Sequence, residues 1–278
     1  MPFLAAGASG LFASYGLDVE ILDPAPGPEN VRRVAAGPSD FCLTSVTHFL
    51  AARAAWGPLG ARFAAVVVQR SPMAGIVAAS SGLGRPADLA GRRLGGPPGS
   101  RLVAEFQASL EHLGLARAVL VPTDYGDAPA ALGRGEVDVV ADFADLVPRT
   151  RRQAGLDVRA VPLPVDVYAS GLVAGDHLEA DVVARMAQAL RAALEHQRAD
   201  PGAGLAELRR RYPEADPGEA LEGWALVEPN IFTGAEPGSM DPVRWAATVA
   251  FVSAAHGWEP VQAETVYRPD VAGVAGRR

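Results

Sequence analysis

The sequence predicts an α/β protein of two lobes with a ligand cleft between them, and three observations carry that prediction. Short apolar or β-branched runs alternate with longer stretches of helical spacing, joined by turns rich in Gly, Pro, Ser and Asp. Two Pro-interrupted passages, Ser71-Pro72-Met73 and Pro164 to Tyr168, each lead into an extended apolar run, as expected where a chain crosses between lobes and returns. Apolar residues make up 49% of the 278 and charged residues 21%, enough to fill a sizeable core and too apolar for a disordered chain.

Taken in order, Gly10 to Tyr15 reads as a helix stopped by Gly16, a residue suited to a left-handed C′ position, with a strand over Leu17 to Leu22 starting at once. Further strands are predicted over Asp40 to Leu43, Arg62 to Val68, Gly75 to Ala79, Arg93 to Gly95, Ala118 to Pro122, Val137 to Ala141, Val158 to Leu163 and Val167 to Ala174, with helices between most of them. Such alternation implies largely parallel sheets whose ligands bind beyond the carboxyl ends of the strands. From Glu179 to Ala199, Val182, Val183, Met186, Leu190 and Leu194 recur at helical spacing until Asp200-Pro201 ends the run. Helices follow around Ala203 to Arg211, Pro217 to Leu226 and Asp241 to His256. The expected division is one lobe of residues 1–79 and 165–278 with a second, residues 80–164, inserted into it.

Several chemistries are closed by composition. All 25 basic residues are Arg, so no lysine Schiff base, including a pyridoxal-phosphate aldimine, can form. A net charge of −7 argues against a nucleic-acid surface. The single Cys42 permits no intramolecular disulfide, and one thiol among scattered His makes no structural zinc set. Neither cofactor nor metal is expected. No stretch approaches the roughly 18–20 apolar residues of a membrane span, and the first residues lack the basic and apolar regions of a secretory signal. As it stands, the sequence predicts a cytoplasmic chain.

The candidate site residues lie at strand ends and crossovers. Thr44 or Ser45 is placed to cap the helix from Val46, presenting a hydroxyl and free backbone N–H groups beyond the strand; an ordinary helix cap has the same pattern. His48 falls in that helix's first turn and is either a ligand contact or a polar helix-end residue. Cys42, six residues earlier, is either a nucleophile with His48 as its base or a small buried side chain. Leu94 to Ser100 forms a strand and Gly-rich turn before a helix, where Ser100 and free N–H groups can hold an anion or a polar ring edge. The Walker and dinucleotide patterns are absent from it. Asp142, beside Phe143 at another strand end, suits a cationic or hydrogen-bond-donating heterocycle, or is a solvated loop residue. Gln69 and Tyr168 lie at the crossovers, at the expected cleft floor. Trp224 reads as a packing anchor before a ring cover, and Arg149-Arg151-Arg152 and Arg209-Arg210-Arg211 read as solvated helix faces.

Gly10-Leu11-Phe12, Tyr15-Gly16-Leu17-Asp18-Val19-Glu20-Ile21, Ala35-Ala36-Gly37, Asp40-Phe41, Asp88-Leu89-Ala90-Gly91-Arg92-Arg93-Leu94-Gly95, Gly135-Glu136-Val137-Asp138, Ala199-Asp200-Pro201 and Arg211-Tyr212-Pro213-Glu214 run in order across nearly the whole chain. Together they resemble the ABC-transporter solute-binding proteins for sulfonates, nitrate and thiamine pyrimidine precursors. The resemblance implies a type II periplasmic-binding fold and no catalysis. It further implies permease and ATPase subunits as partners and a monomer as the working form. Within the family the sequence looks most like the thiamine-pyrimidine branch, so the implied ligand is a pyrimidine-like heterocycle held by Thr44, Ser45, His48, Gln69, Ser100, Asp142 and Tyr168. The run Thr44 to Ala54 is also similar to a segment of the fungal pyrimidine synthase of that branch. His48 matches the histidine that enzyme consumes, and Thr44 stands where it has its pyridoxal-binding lysine. An enzyme on the same scaffold, with synthase, lyase or desulfinase chemistry at His48 or Cys42, is the alternative.

Members of the family open with a signal peptide and a first strand before the segment matching Pro2-Phe3. Two expectations follow: a start upstream of Met1, restoring secretion and with it a lipid anchor, or a fold without one central strand and its ligand loop. We favour the first.

Overall fold

The computed structural model describes residues 1–25 and 27–272. Two short helices, α1 (Pro2–Ala8) and α2 (Leu11–Ser14), open the chain, and Gly16 beyond them takes a φ of 66°, as its expected C′ role requires. Helix α3 (Glu29–Ala36) leads to strand β1 (Phe41–Ser45), which runs without a loop into α4 (Val46–Trp56). Strands β2 (Ala61–Val68), β3 (Met73–Ala78) and β4 (Arg93–Gly96) precede α5 (Arg101–His112). Then come β5 (Val119–Pro122), α6 (Ala128–Gly133), β6 (Val139–Phe143), α7 (Val147–Ala154), β7 (Val158–Pro162) and β8 (Ser170–Gly175). The remainder is helical: α8 (Ala180–Ala199), α9 (Leu205–Arg211), α10 (Pro217–Ile231), α11 (Pro242–His256) and α12 (Pro269–Ala272).

The strands form two sheets, β1-β8-β2 and β5-β4-β6-β3-β7, each with its own core. One apolar cluster joins the first sheet to α1, α4, α8 and α11, while two others cover opposite faces of the second. Strand β3, assigned to the first lobe by a boundary at residue 79, is hydrogen-bonded inside the second sheet, so the first crossover is residues 69–72. The second spans residues 163–169. Helix α10 also departs from the expected division, because Leu226 packs on a core of the second lobe and Glu222 pairs with Arg151 of α7.

The sheets are not largely parallel. Strand β8 is antiparallel to both its neighbours, and in the second sheet only β5-β4-β6 run parallel while β3 is antiparallel to β6 and β7. The reason lies in the crossovers. Strands β1, β2, β4 and β6 end at the interlobe boundary, whereas β3 and β8 arrive from the other lobe, start at that boundary and must run away from it. Strand β8 also threads between two neighbours at close range. A Cβ at Gly171 would lie 2.3 Å from the Ala65 carbonyl oxygen, so only glycine fits.

The predicted strand over Leu17 to Leu22 is not one. Its side chains alternate, with Leu17, Val19 and Ile21 half-buried and Asp18 and Glu20 exposed, but no strand lies alongside to form a ladder. A groove of about 600 Å³ separates this segment from Phe41, Cys42 and Leu43 of β1. The outer edge of β2 differs, since Phe63 N–H donates to Val266, Arg268 N–H to Phe63, and Val66 and Gly238 exchange hydrogen bonds.

Candidate ligand site between the lobes

Two helix N-termini, one from each lobe, define the site. Ser45 caps α4, its Oγ accepting from the His48 N–H at 3.1 Å, and Ser100 caps α5, its Oγ accepting from the Val103 N–H at 3.1 Å. Both hydroxyls therefore serve their own helices first, with their O–H hydrogens left to donate elsewhere. Thr44 is buried on β1 opposite Gly171. His48 is half-buried beside Arg101 and Glu105 of α5. Burial and the Arg101 charge depress its pKa, more than the Glu105 charge raises it. Its imidazole is neutral at pH 7, with one nitrogen donating and the other accepting.

The second lobe contributes a carboxyl group at the end of β6. Strands β6 and β4 are adjacent and parallel, so Asp142 stands beside the turn that carries Ser100. It is only 3% exposed, and its Oδ1 accepts from the Phe143 N–H at 2.9 Å. Burial pushes its pKa up to about 6, against smaller lowering effects from that hydrogen bond and from Arg149. Tyr125, whose ring lies 5.5 Å from the Arg149 guanidinium carbon, and Asp145, whose pKa is also raised by burial, complete this side.

Gln69 and Tyr168 stand at the crossovers, with their polar atoms already engaged by the chain. Gln69 is fully buried. Its Nε2 donates to the Val66 and Ser239 carbonyls at 3.0 and 3.1 Å, and its main-chain carbonyl accepts from Arg244 at 2.5 Å. The Tyr168 hydroxyl accepts from the Asp241 N–H at 2.8 Å, and its ring lies under Arg244, 4.5 Å from the guanidinium carbon. Arg244 also pairs with Asp166, so one guanidinium ties the two crossovers together. Trp224 is a core residue, as read.

Neither Cys42 nor His48 figures among the effects on the other's titration. Burial alone pushes the thiol up to about 12, and the charges acting on His48 belong to Arg101 and Glu105. We expect Cys42 to be nearly inert to iodoacetamide at pH 7.5, because burial keeps its thiol protonated. Rapid gain of one alkyl mass by the native chain would contradict this.

Sequence reasoning missed Thr47, Arg101, Glu105, Tyr125, Asp145 and His256, and read Arg149, which lies over Tyr125, as part of a solvated helix face. Arg101 and Glu105 were within reach, being four residues apart just after the Gly-rich turn and so on one face of α5. Among the described residues no group of three or more His, Cys, Asp or Glu is placed to hold a metal ion, and no helix is long and apolar enough to cross a membrane.

The NMT1/THI5-like family matches residues 1–203, a span containing both sheets and both crossovers. The chain belongs to that family. No curated protein matches the sequence itself. The fold is shared with the periplasmic aliphatic sulphonate binding protein SsuA from Escherichia coli, at 16% identity and a TM-score of 0.73 over 96% of this chain and 88% of that one. The alkanesulfonate-binding SsuA from Xanthomonas axonopodis pv. citri, bound to MOPS, gives 16% identity and 0.67 over 96% and 94%. The desulfurization enzyme DSZB gives 17% and 0.65 over 99% and 95%. This NMT1/THI5-like chain thus has the two-lobed α/β fold of the periplasmic binding proteins.

Proposed function

We propose that this NMT1/THI5-like chain is the solute-binding component of an ABC importer, holding a small heterocycle such as a pyrimidine precursor of thiamine between its lobes. The observation that carries the reading is a neutral imidazole, His48, on one lobe and a buried carboxyl group, Asp142, on the other, each beside a helix N-terminus. A ring bearing both donors and acceptors can satisfy both groups, which a permanently anionic sulfonate does less well next to a carboxylate. Thr44, Ser45 and His48 meet the ligand first and Ser100 and Asp142 on closure; Gln69 and Tyr168 hold the hinge. Binding is then tighter in the closed state, which is what a permease can sense. Likeness to periplasmic binding proteins supports permease and ATPase partners and a place outside the cytoplasm.

A thermal-shift titration with pyrimidines, alkanesulfonates and nitrate tests this, with each recovered ligand checked by mass. Ligand at 100 times its Kd adds about 2.7 kcal/mol. A pyrimidine shift with unchanged ligand supports the proposal, a shift with alkanesulfonates or nitrate alone replaces the heterocycle, and an altered ligand replaces the binding protein with an enzyme. His48→Ala is expected to weaken binding by about 1–3 kcal/mol, the cost of leaving a buried partner unpaired. Calorimetry showing unchanged affinity would remove His48 from the site.

A further inference from the structure

We infer that Glu105 latches the two lobes together. It projects from α5 of the second lobe, and one of its carboxylate oxygens receives two hydrogen bonds from the first. The Thr47 hydroxyl donates to Oε1 at 2.6 Å, and His256 Nε2 approaches the same oxygen at 3.2 Å. A carboxylate only accepts, so the imidazole must carry its proton on Nε2 to make this bond.

The surroundings fix that geometry. Thr47 is buried in the first turn of α4, and His256, the last residue of α11, is stacked on Trp258 with ring centroids 4.4 Å apart. The His256 side chain is 6% exposed and that of Glu105 15%, so water competes weakly for the shared oxygen. One α5 turn pair further on, His112 meets Phe251 edge-on at 5.8 Å, which seats α5 against α11 along their lengths. Thr47 and His256 come from helices far apart in sequence, and Glu105 is the group that both of them bind. Opening the lobes must break both bonds at once.

The latch explains a division of labour at the cleft. His48, on which the charges of Arg101 and Glu105 both act, stays available to a ligand, while Thr47 and His256 act between the lobes and need no ligand to do so. Glu105 is therefore a positioning residue: it sets the closed fraction, and apparent affinity falls as that fraction falls.

Small-angle scattering of the full, unliganded chain tests this without knowledge of the ligand. Glu105→Ala is expected to raise the radius of gyration. Thr47→Val, which keeps the shape and removes the donor, should raise it less, and Glu105→Gln, which keeps an acceptor at Oε1, less than the alanine. The double variant Thr47→Val/Glu105→Ala should match Glu105→Ala alone, because both remove one latch. Where a ligand is in hand, Glu105→Ala should weaken its apparent affinity by about three- to tenfold, through the closed fraction. An unchanged radius of gyration in folded Glu105→Ala, or additive effects in the double variant, would overturn the latch. Failure to find a ligand leaves the scattering result standing, and a ligand that binds to lobes unaffected by Glu105→Ala sinks the latch alone.

Discussion

Asp142→Asn is expected to stabilise the unliganded chain at pH 8 and to leave it unchanged at pH 4. The folded pKa of about 6 lies above the usual 3.8, so the folded chain binds this proton more tightly than the unfolded chain does. Stability from this group is therefore complete below about pH 4, is lost as pH rises towards 6, and stays lost above it. At about 1.4 kcal/mol per pH unit the loss comes to about 3 kcal/mol at most, several degrees in melting temperature for a chain of this size. Asparagine keeps an oxygen to accept from the Phe143 N–H and has no charge to desolvate, so it recovers most of that loss. Melting curves of both chains from pH 4 to 8 should coincide at the acid end, separate between about pH 4 and 6, and stay apart above that. Parallel curves would show that the Asp142 carboxylate is not desolvated. The same substitution should weaken ligand binding, since a buried carboxyl group retained at a cost to stability is characteristic of a binding site.

Trp245→Ala should cost about 3–5 kcal/mol, the largest single loss expected from the first lobe. The indole is fully buried on α11, with Phe63 of β2 at 5.0 Å, Tyr168 of the second crossover at 5.1 Å and Tyr267 stacked on it at 5.8 Å. Removing it leaves a cavity where sheet, crossover and C-terminal segment meet, and unsettles the neighbouring Arg244 that pins the crossovers. Trp245→Phe should cost much less. Its Nε1 is buried without a hydrogen-bond partner, so the phenyl ring gives up packing volume and also removes an unsatisfied donor. Urea unfolding of the two variants separates these effects, and equal losses would point to the indole N–H as the group that matters.

Much of this architecture is readable residue by residue. Eight of the nine expected strands lie within about three residues of their observed ends, because short apolar or β-branched runs bounded by Gly, Pro and Asp express local geometry. A cap at Thr44 or Ser45 was legible for the same reason, since a cap is a contact between a side chain and its own next turn, and the structure settles it on Ser45; Ser100, read as an anion-holding hydroxyl, caps α5 as well. Leu17 to Leu22 marks where local pattern runs out: its alternation suits a strand, but a strand exists only beside another. Strand direction was likewise hidden, because it depends on which side of the lobe boundary the chain enters. Gln69 and Tyr168 lie at the crossovers, yet their partners Ser239, Asp241 and Arg244 come from a part of the chain about seventy or more residues away, which no local pattern reports. The same holds for Thr47, Glu105 and His256. Composition, period and capping are properties of neighbours in sequence, and the lobe interface is built from side chains that become neighbours only when α4, α5 and α11 pack.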